Sequence, residues 1–101
     1  QRTDKDSKIN WKNNAKDVYN FIRAISYPYK GAYTYLFKTK IRIIKSKISK
    51  SCPKIVNVGD FFKDSNKNLY VKCKINSIKI LKSEPRVKKL ILKNNKKLCV
   101  V

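Results

Sequence analysis

Histidine is absent from the sequence, glycine occurs only twice, and only six residues are acidic. Without histidine, three widely spaced cysteines that form no Cys-x-x-Cys pair lack the partners of a metal site. With glycine only at positions 31 and 59, the chain has no glycine-rich loop to hold phosphate. The carboxylates do not recur at the spacing of an acid/base pair. The sequence therefore predicts no catalytic residues, no metal and no cofactor within this chain.

Long apolar runs and signal-peptide patterns are also missing, so we expect a cytoplasmic protein without a membrane partner. The odd cysteine count, Cys52, Cys73 and Cys99, indicates reduced and partly buried thiols. The first residue is Gln1 rather than Met, and we expect the chain to be part of a longer protein.

The charge is strongly one-sided. The 101 residues include 26 Lys or Arg and carry a formal net charge of +20, which is typical of proteins that meet phosphate. Most of these residues are Lys, however, and the chain is also rich in Ile, Asn and Tyr, a mixture that AT-rich coding sequence produces whatever the function. The charge suggests a phosphate-bearing partner without deciding it.

One helix is predicted near the start. Residues 1–9 are mostly polar and predict an exposed linker, after which Trp11 anchors the entry to the helix. Asn13 or Asn14 can cap the helix, and apolar residues at helical spacing predict that it covers residues 14–26. Residues 20–37 then join the helix to a strand, because Pro28 cannot continue the helix and Gly31 permits a turn.

Alternating apolar residues predict β-structure for the rest of the chain. Strands are expected at residues 32–37, 40–48, 55–58 and 69–75 and around residues 78–80, with a tight turn at 38–39 and a terminal hairpin of 90–92 with 98–101. The apolar phase slips at Ile43 and Ile44, which predicts a β-bulge. The fold class is mainly β with one N-terminal helix, a small open β-barrel resembling an OB-fold.

The predicted bulge would place four cations on one outer face, namely Lys40, Arg42, Lys45 and Lys47. This ridge is a candidate RNA-binding or phosphate-binding strip. The alternative is an ordinary solvated strand face.

Several stretches, taken together, resemble the C-terminal domain of the folate-dependent formyltransferases. They are Arg2-Thr3-Asp4-Lys5-Asp6-Ser7-Lys8-Ile9-Asn10-Trp11, Ile22-Arg23-Ala24, Pro28-Tyr29-Lys30-Gly31-Ala32-Tyr33 and Lys40-Ile41-Arg42-Ile43. The specific part covers roughly the first 45 residues. Two departures occur: Lys30 stands where the family usually has a proline, and Lys74-Ile75-Asn76 replaces a common Asp-Gly turn.

The resemblance implies a non-catalytic role for this chain. In the family a separate N-terminal domain of Rossmann type binds 10-formyltetrahydrofolate and uses an Asn, a His and an Asp to transfer the formyl group to an amine. Residues 1–12 would then be the linker from that missing domain, and residues 13–101 the barrel domain. The family-motif residues, expected at the junction between domains, are Arg2, Trp11, Arg23, Ala24, Pro28, Tyr29, Gly31 and Ala32.

Three roles stay open. The linker and Gly31-Ala32 resemble the branch that formylates amino-sugar nucleotides, such as UDP-4-amino-4-deoxy-arabinose. The charge instead favours the methionyl-tRNA formyltransferase branch, in which this domain helps to hold the initiator tRNA. The third role is a free-standing OB-like nucleic-acid-binding module, which requires exposed aromatic residues on the strand face.

Overall fold

The computed structural model describes residues 7–25, 31–94 and 98–100. Its first helix, α1, spans Ala15–Ala24. The side chain of Asn14 caps it by accepting a 2.9 Å hydrogen bond from the backbone N–H of Asp17, as predicted for this asparagine. The helix ends slightly earlier than predicted, because Ile25 already leaves helical geometry as the C-cap.

Six strands form one sheet. They are β1 (Ala32–Leu36), β2 (Thr39–Ser49), β3 (Phe61–Lys63), β4 (Leu69–Lys72), β5 (Ser77–Glu84) and β6 (Cys99–Val100). Their spatial order is β1-β2-β5-β4-β3-β6, and every neighbouring pair is antiparallel except β3 with β6. The prediction of a mainly β fold with an open barrel and an N-terminal helix is confirmed.

The β1–β2 hairpin and the bulge lie close to their predicted positions. Phe37 and Lys38 form the turn, one residue earlier than expected, and both have positive φ angles of 51° and 64°. Two left-handed residues suit a two-residue hairpin because their twist matches that of the strands. The β2–β5 register shifts between Ile43 and Lys45 and again between Lys45 and Ser46, which confirms the bulge.

The core lies between α1 and the concave side of the sheet. Val18 and Ile22 of the helix and Ile25 beyond it are buried with Ile41 and Ile43 of β2. Burial of several large aliphatic side chains is the main favourable term in the folding of a domain of this size. The apolar periodicity of the helix therefore identified its core-facing side.

The predicted strand at residues 55–58 is wrong. These residues form turns, in which the N–H of Val56 donates to the carbonyl of Pro53 at 3.3 Å and the N–H of Asp60 donates to that of Asn57 at 3.0 Å. Backbone groups that bond locally are not available to a sheet ladder. Ile55 is consequently exposed to solvent while Val56 alone turns inward.

The predicted terminal hairpin is also wrong. Residues 90–92 belong to a second helix, α2 (Val87–Asn94), in which Val87 and Leu90 are buried at helical spacing. Strand β6 pairs in parallel with β3, a strand that the sequence did not predict. Neither helix in the described part of the chain is long and apolar enough to cross a membrane.

Candidate anion-binding face

The convex side of the sheet carries a cluster of cations that extends beyond the predicted ridge. Residues directly opposite each other in an antiparallel pair lie on the same face. Arg42 lies opposite Glu84, Lys45 opposite Lys82, and Lys47 opposite Lys79. The basic face is defined here as Lys40, Arg42, Lys45, Lys47, Lys79 and Lys82.

The β1 end of the basic face is fixed by contacts with an aromatic ring. Lys40 Nζ lies 4.1 Å, and the guanidinium carbon of Arg42 5.6 Å, from the centre of the Tyr33 ring. The guanidinium also donates a 2.9 Å hydrogen bond from Nη1 to the carbonyl oxygen of Gly31. Cation–π contacts and this hydrogen bond hold both cations in place, so this end has a structural explanation of its own.

The β5 side of the basic face has no comparable structural explanation. Lys45, Lys47 and Lys82 are exposed, and like charges placed directly opposite each other across two strands destabilise a sheet. The two opposed lysine pairs therefore give a positive potential at some cost to folding. An anionic partner would remove that cost.

A cleft continues the basic face toward α2. It has a volume of about 990 Å³, and Lys45 and Lys82 lie on its wall. Of the described residues that line the cleft, three further cations come from the start of α2 and the residue before it, and Glu84 is the one acid. These further cations are Arg86, Lys88 and Lys89.

Aromatic residues on the same side of the sheet are mostly covered. Tyr35 is 51% exposed, with its ring 5.9 Å from Lys8 Nζ and 5.8 Å from the ring of Tyr33. Tyr33 and Phe62 are buried, and the Phe62 ring stacks on that of Tyr70. A base-stacking surface needs several exposed rings, whereas the described outer face offers one large exposed ring. This arrangement does not favour the free-standing nucleic-acid-binding module.

The family-motif residues fall into three groups. Arg2, Pro28 and Tyr29 lie outside the described residues. Trp11 and Ala32 are buried in the core, which gives them a structural role. The remaining residues, Arg23, Ala24 and Gly31, lie at the end of α1 and just before β1.

Arg23 and Ala24 are exposed at the end of α1, and the Arg23 guanidinium carbon lies 5.5 Å from the centre of the Tyr19 ring. Gly31 has a φ of +96°, the left-handed geometry that its lack of a Cβ permits. Its carbonyl accepts the hydrogen bond from Arg42, so it joins the motif to the basic face. That these residues contact another domain remains a prediction.

The predicted ridge contains four of the six cations of the basic face and, of the cations that line the cleft, only Lys45. Lys79 and Lys82 are three residues apart, a spacing that puts side chains on opposite faces of a regular strand. Only the β2–β5 pairing, with its register shift, places both beside Lys45 and Lys47. The further cleft cations, Arg86, Lys88 and Lys89, lie just before the predicted terminal hairpin, in a stretch for which no helix or strand was predicted. Among the described residues, no cluster of three metal-ligating side chains occurs.

The comparison with known proteins matches residues 2–95 to the family described as formyl transferase, C-terminal domain. The bifunctional polymyxin resistance protein ArnA of Wigglesworthia glossinidia brevipalpis is 37% identical over 109 aligned positions, covering 95% of this chain. The methionyl-tRNA formyltransferase of Thermodesulfovibrio yellowstonii is 40% identical over 43 residues, 43% of this chain. The alignments cover only 17% and 14% of these two relatives.

Proposed function

This chain belongs to the formyl transferase C-terminal domain family, and we propose that it is the non-catalytic barrel domain of a formyltransferase. In this proposal residues 1–12 are the linker and residues 13–101 are the barrel. A separate catalytic domain would bind 10-formyltetrahydrofolate and transfer its formyl group to an amine. The observation that carries the proposal is the family match over residues 2–95, together with the lack of any histidine in this chain.

The acceptor that we propose is an amino-sugar nucleotide. The linker sequence and Gly31-Ala32 resemble the sugar-nucleotide branch. Of the two relatives described above, the one named for polymyxin resistance aligns with almost the whole chain, whereas the one named for methionyl-tRNA aligns with less than half of it. In this role the barrel supports the catalytic domain and does not contact the reacting groups.

One observation favours initiator tRNA as a second candidate acceptor. The opposed pairs Lys45–Lys82 and Lys47–Lys79 create a positive surface that destabilises the sheet. Phosphates along an acceptor arm would neutralise it, and binding through such contacts weakens as salt increases. A sugar nucleotide bound in another domain would not contact these lysines and would not neutralise their charge.

The experiment measures formyl transfer by the full-length protein from 10-formyltetrahydrofolate to UDP-4-amino-4-deoxy-arabinose and to methionyl-tRNA. We expect transfer to the sugar nucleotide, with kcat/KM unchanged in K45Q/K47Q. Transfer to methionyl-tRNA alone would overturn the sugar-nucleotide proposal. No transfer to either acceptor would overturn the formyltransferase proposal as stated.

A matched pair of variants tests the second candidate. K45Q/K47Q removes two cations from the basic face, and K12Q/K16Q removes two exposed cations, one before α1 and one in its first turn. If tRNA is the acceptor, K45Q/K47Q lowers kcat/KM and flattens its dependence on salt, because each lost phosphate contact reduces counterion release. Equal effects of the two variants would show that only net charge matters and would contradict specific tRNA binding by the basic face.

A further inference from the structure

Two exposed leucines, Leu81 on β5 and Leu92 on α2, lie among the cations at the start and on the outer side of α2. The leucine–lysine surface is defined here as Leu81, Arg86, Lys88, Lys89, Leu92 and Lys93. Leu81 is 54% and Leu92 80% exposed, and the four cations are exposed as well. Large exposed apolar side chains grouped with cations are characteristic of surfaces that bind something.

Two observations place these residues together. Leu81, Arg86, Lys88 and Lys89 line the same cleft. Leu92 follows Lys89 by three positions and Lys88 by four along α2, and side chains at these spacings are neighbours on a helix surface. The leucine–lysine surface thus extends from the cleft along the outer side of α2.

Neither Leu81 nor Leu92 is part of the hydrophobic core. Helix α2 buries Val87 and Leu90 against the barrel, so its inward side is already occupied by other residues. Leu81 lies where the β2–β5 register shifts, in a strand whose neighbours Ile78 and Ile80 are buried. Both leucines point away from the packed interior.

The chemistry of the patch distinguishes between two kinds of anionic partner. A nucleic-acid backbone binds the cations but gains little from leucine, and none of the described residues that line the cleft is an aromatic on which a base could stack. An anionic lipid surface uses both features, because cations bind the headgroups and leucines enter the boundary with the acyl chains. The combination favours a lipid surface.

We propose that the leucine–lysine surface binds peripherally to membranes rich in anionic phospholipid. This proposal goes beyond formyl transfer and revises the sequence-based expectation that the protein has no membrane partner. Helix α2, only eight residues long, would lie flat on the lipid surface with Leu92 directed into it. The proposal concerns surface binding and not membrane crossing.

The test is co-sedimentation of the full chain with vesicles made of equal parts phosphatidylglycerol and phosphatidylcholine. The variant L81S/L92S leaves the net charge unchanged, and we expect its partition coefficient to fall by about tenfold or more because two apolar insertions are lost. The control I55S/V58S removes two exposed apolar side chains that do not line the cleft, and it should bind like the wild type.

A charge variant gives the second test. R86Q/K89Q should reduce binding by about fivefold for each cation removed from the lipid-facing surface, whereas K12Q/K16Q should reduce it less. Circular dichroism checks that each variant folds. The proposal is overturned if L81S/L92S binds like the wild type, or if the two charge variants bind equally well. Either result would mean that overall charge alone explains the binding. It is also overturned if L81S/L92S abolishes self-association in sedimentation without changing vesicle binding.

Discussion

The indole Nε1–H of Trp11 donates a 3.0 Å hydrogen bond to the hydroxyl of Thr34, and both side chains are buried. The bond connects the segment before α1 to strand β1. Close to it, the N–H of Ile9 donates to the carbonyl of Tyr33 at 2.9 Å. The described end of the predicted linker is thus packed on the sheet, and the expectation of an exposed segment is wrong for Ser7 and Ile9, which are buried.

Replacing Thr34 by Val should destabilise the domain. The substitution keeps the shape but removes the acceptor, leaving the buried indole N–H without a partner, which typically costs about 1–3 kcal/mol. Thr34→Ser keeps the hydroxyl and should cost less. Urea unfolding followed by the fluorescence of the single tryptophan measures both variants. Equal stability of the two variants would contradict a role for the hydrogen bond.

Asp64 organises the β3–β4 loop. Its carboxylate accepts hydrogen bonds from the N–H groups of Asn66 and Asn68, from the Asn68 amide and from the Tyr70 hydroxyl, at 2.8–3.1 Å. Desolvation raises the pKa of this carboxyl, but the hydrogen bonds from Asn68, Tyr70 and Asn66 together lower it from 3.8 to about 2.

This lowered pKa predicts a pH dependence of stability. Because the folded pKa lies below the unfolded one, the stabilisation by Asp64 is present above about pH 4 and is lost as pH falls toward about 2. The free energy of unfolding of the wild type should therefore exceed that of Asp64→Asn at neutral pH, and the difference should shrink across this window. Tyr70→Phe, which removes one donor, should give a weaker dependence. A constant difference between wild type and Asp64→Asn down to pH 2 would refute the assignment.

The two thiols that the structure describes should differ in reactivity. Cys52 is exposed, whereas burial, with a smaller contribution from the nearby Cys52, raises the pKa of Cys73 to about 12. Since the thiolate is the reactive form, Cys73 should not react in the native state at mildly alkaline pH. In a Cys99→Ser background, Ellman's reagent should titrate one thiol quickly and the second only after urea is added. Two fast thiols would show that the Cys73 site opens readily.

Local patterns predicted the first half of the fold well. Asn14 caps the helix by bonding to Asp17, three residues further along, and the change of apolar phase at Ile43 and Ile44 occurs within a single strand. Both features could therefore be predicted without knowledge of distant partners. The resemblance to the formyltransferases likewise came from continuous stretches of sequence.

The structure of the second half of the chain depends on contacts between residues that are far apart in the sequence, and local patterns predicted it less well. The apolar run around Leu90 fits a strand or a helix, and packing of Val87 and Leu90 against the core selects the helix. Strand β6 is only two residues long and exists because β3 lies beside it. For the same reason only four of the six cations of the basic face were predicted, since the strand order decides which lysines of β5 adjoin β2.

Ser46 presents an unsatisfied group in the sheet. Among the described residues, its hydroxyl is buried without a hydrogen-bond partner, and it lies opposite Ile80 on the inner side of β2. Ser46→Ala should raise the free energy of unfolding by about 1 kcal/mol, because a buried polar atom without a partner is costly. Ser83 provides the matched control: its buried hydroxyl donates a 3.1 Å hydrogen bond to the carbonyl of Pro85, so Ser83→Ala should lower stability by a similar amount. The same chemical change in neighbouring strands cancels differences in strand propensity, and urea unfolding should give effects of opposite sign. Destabilisation by both variants would mean that water or a shifted side chain satisfies Ser46 in solution.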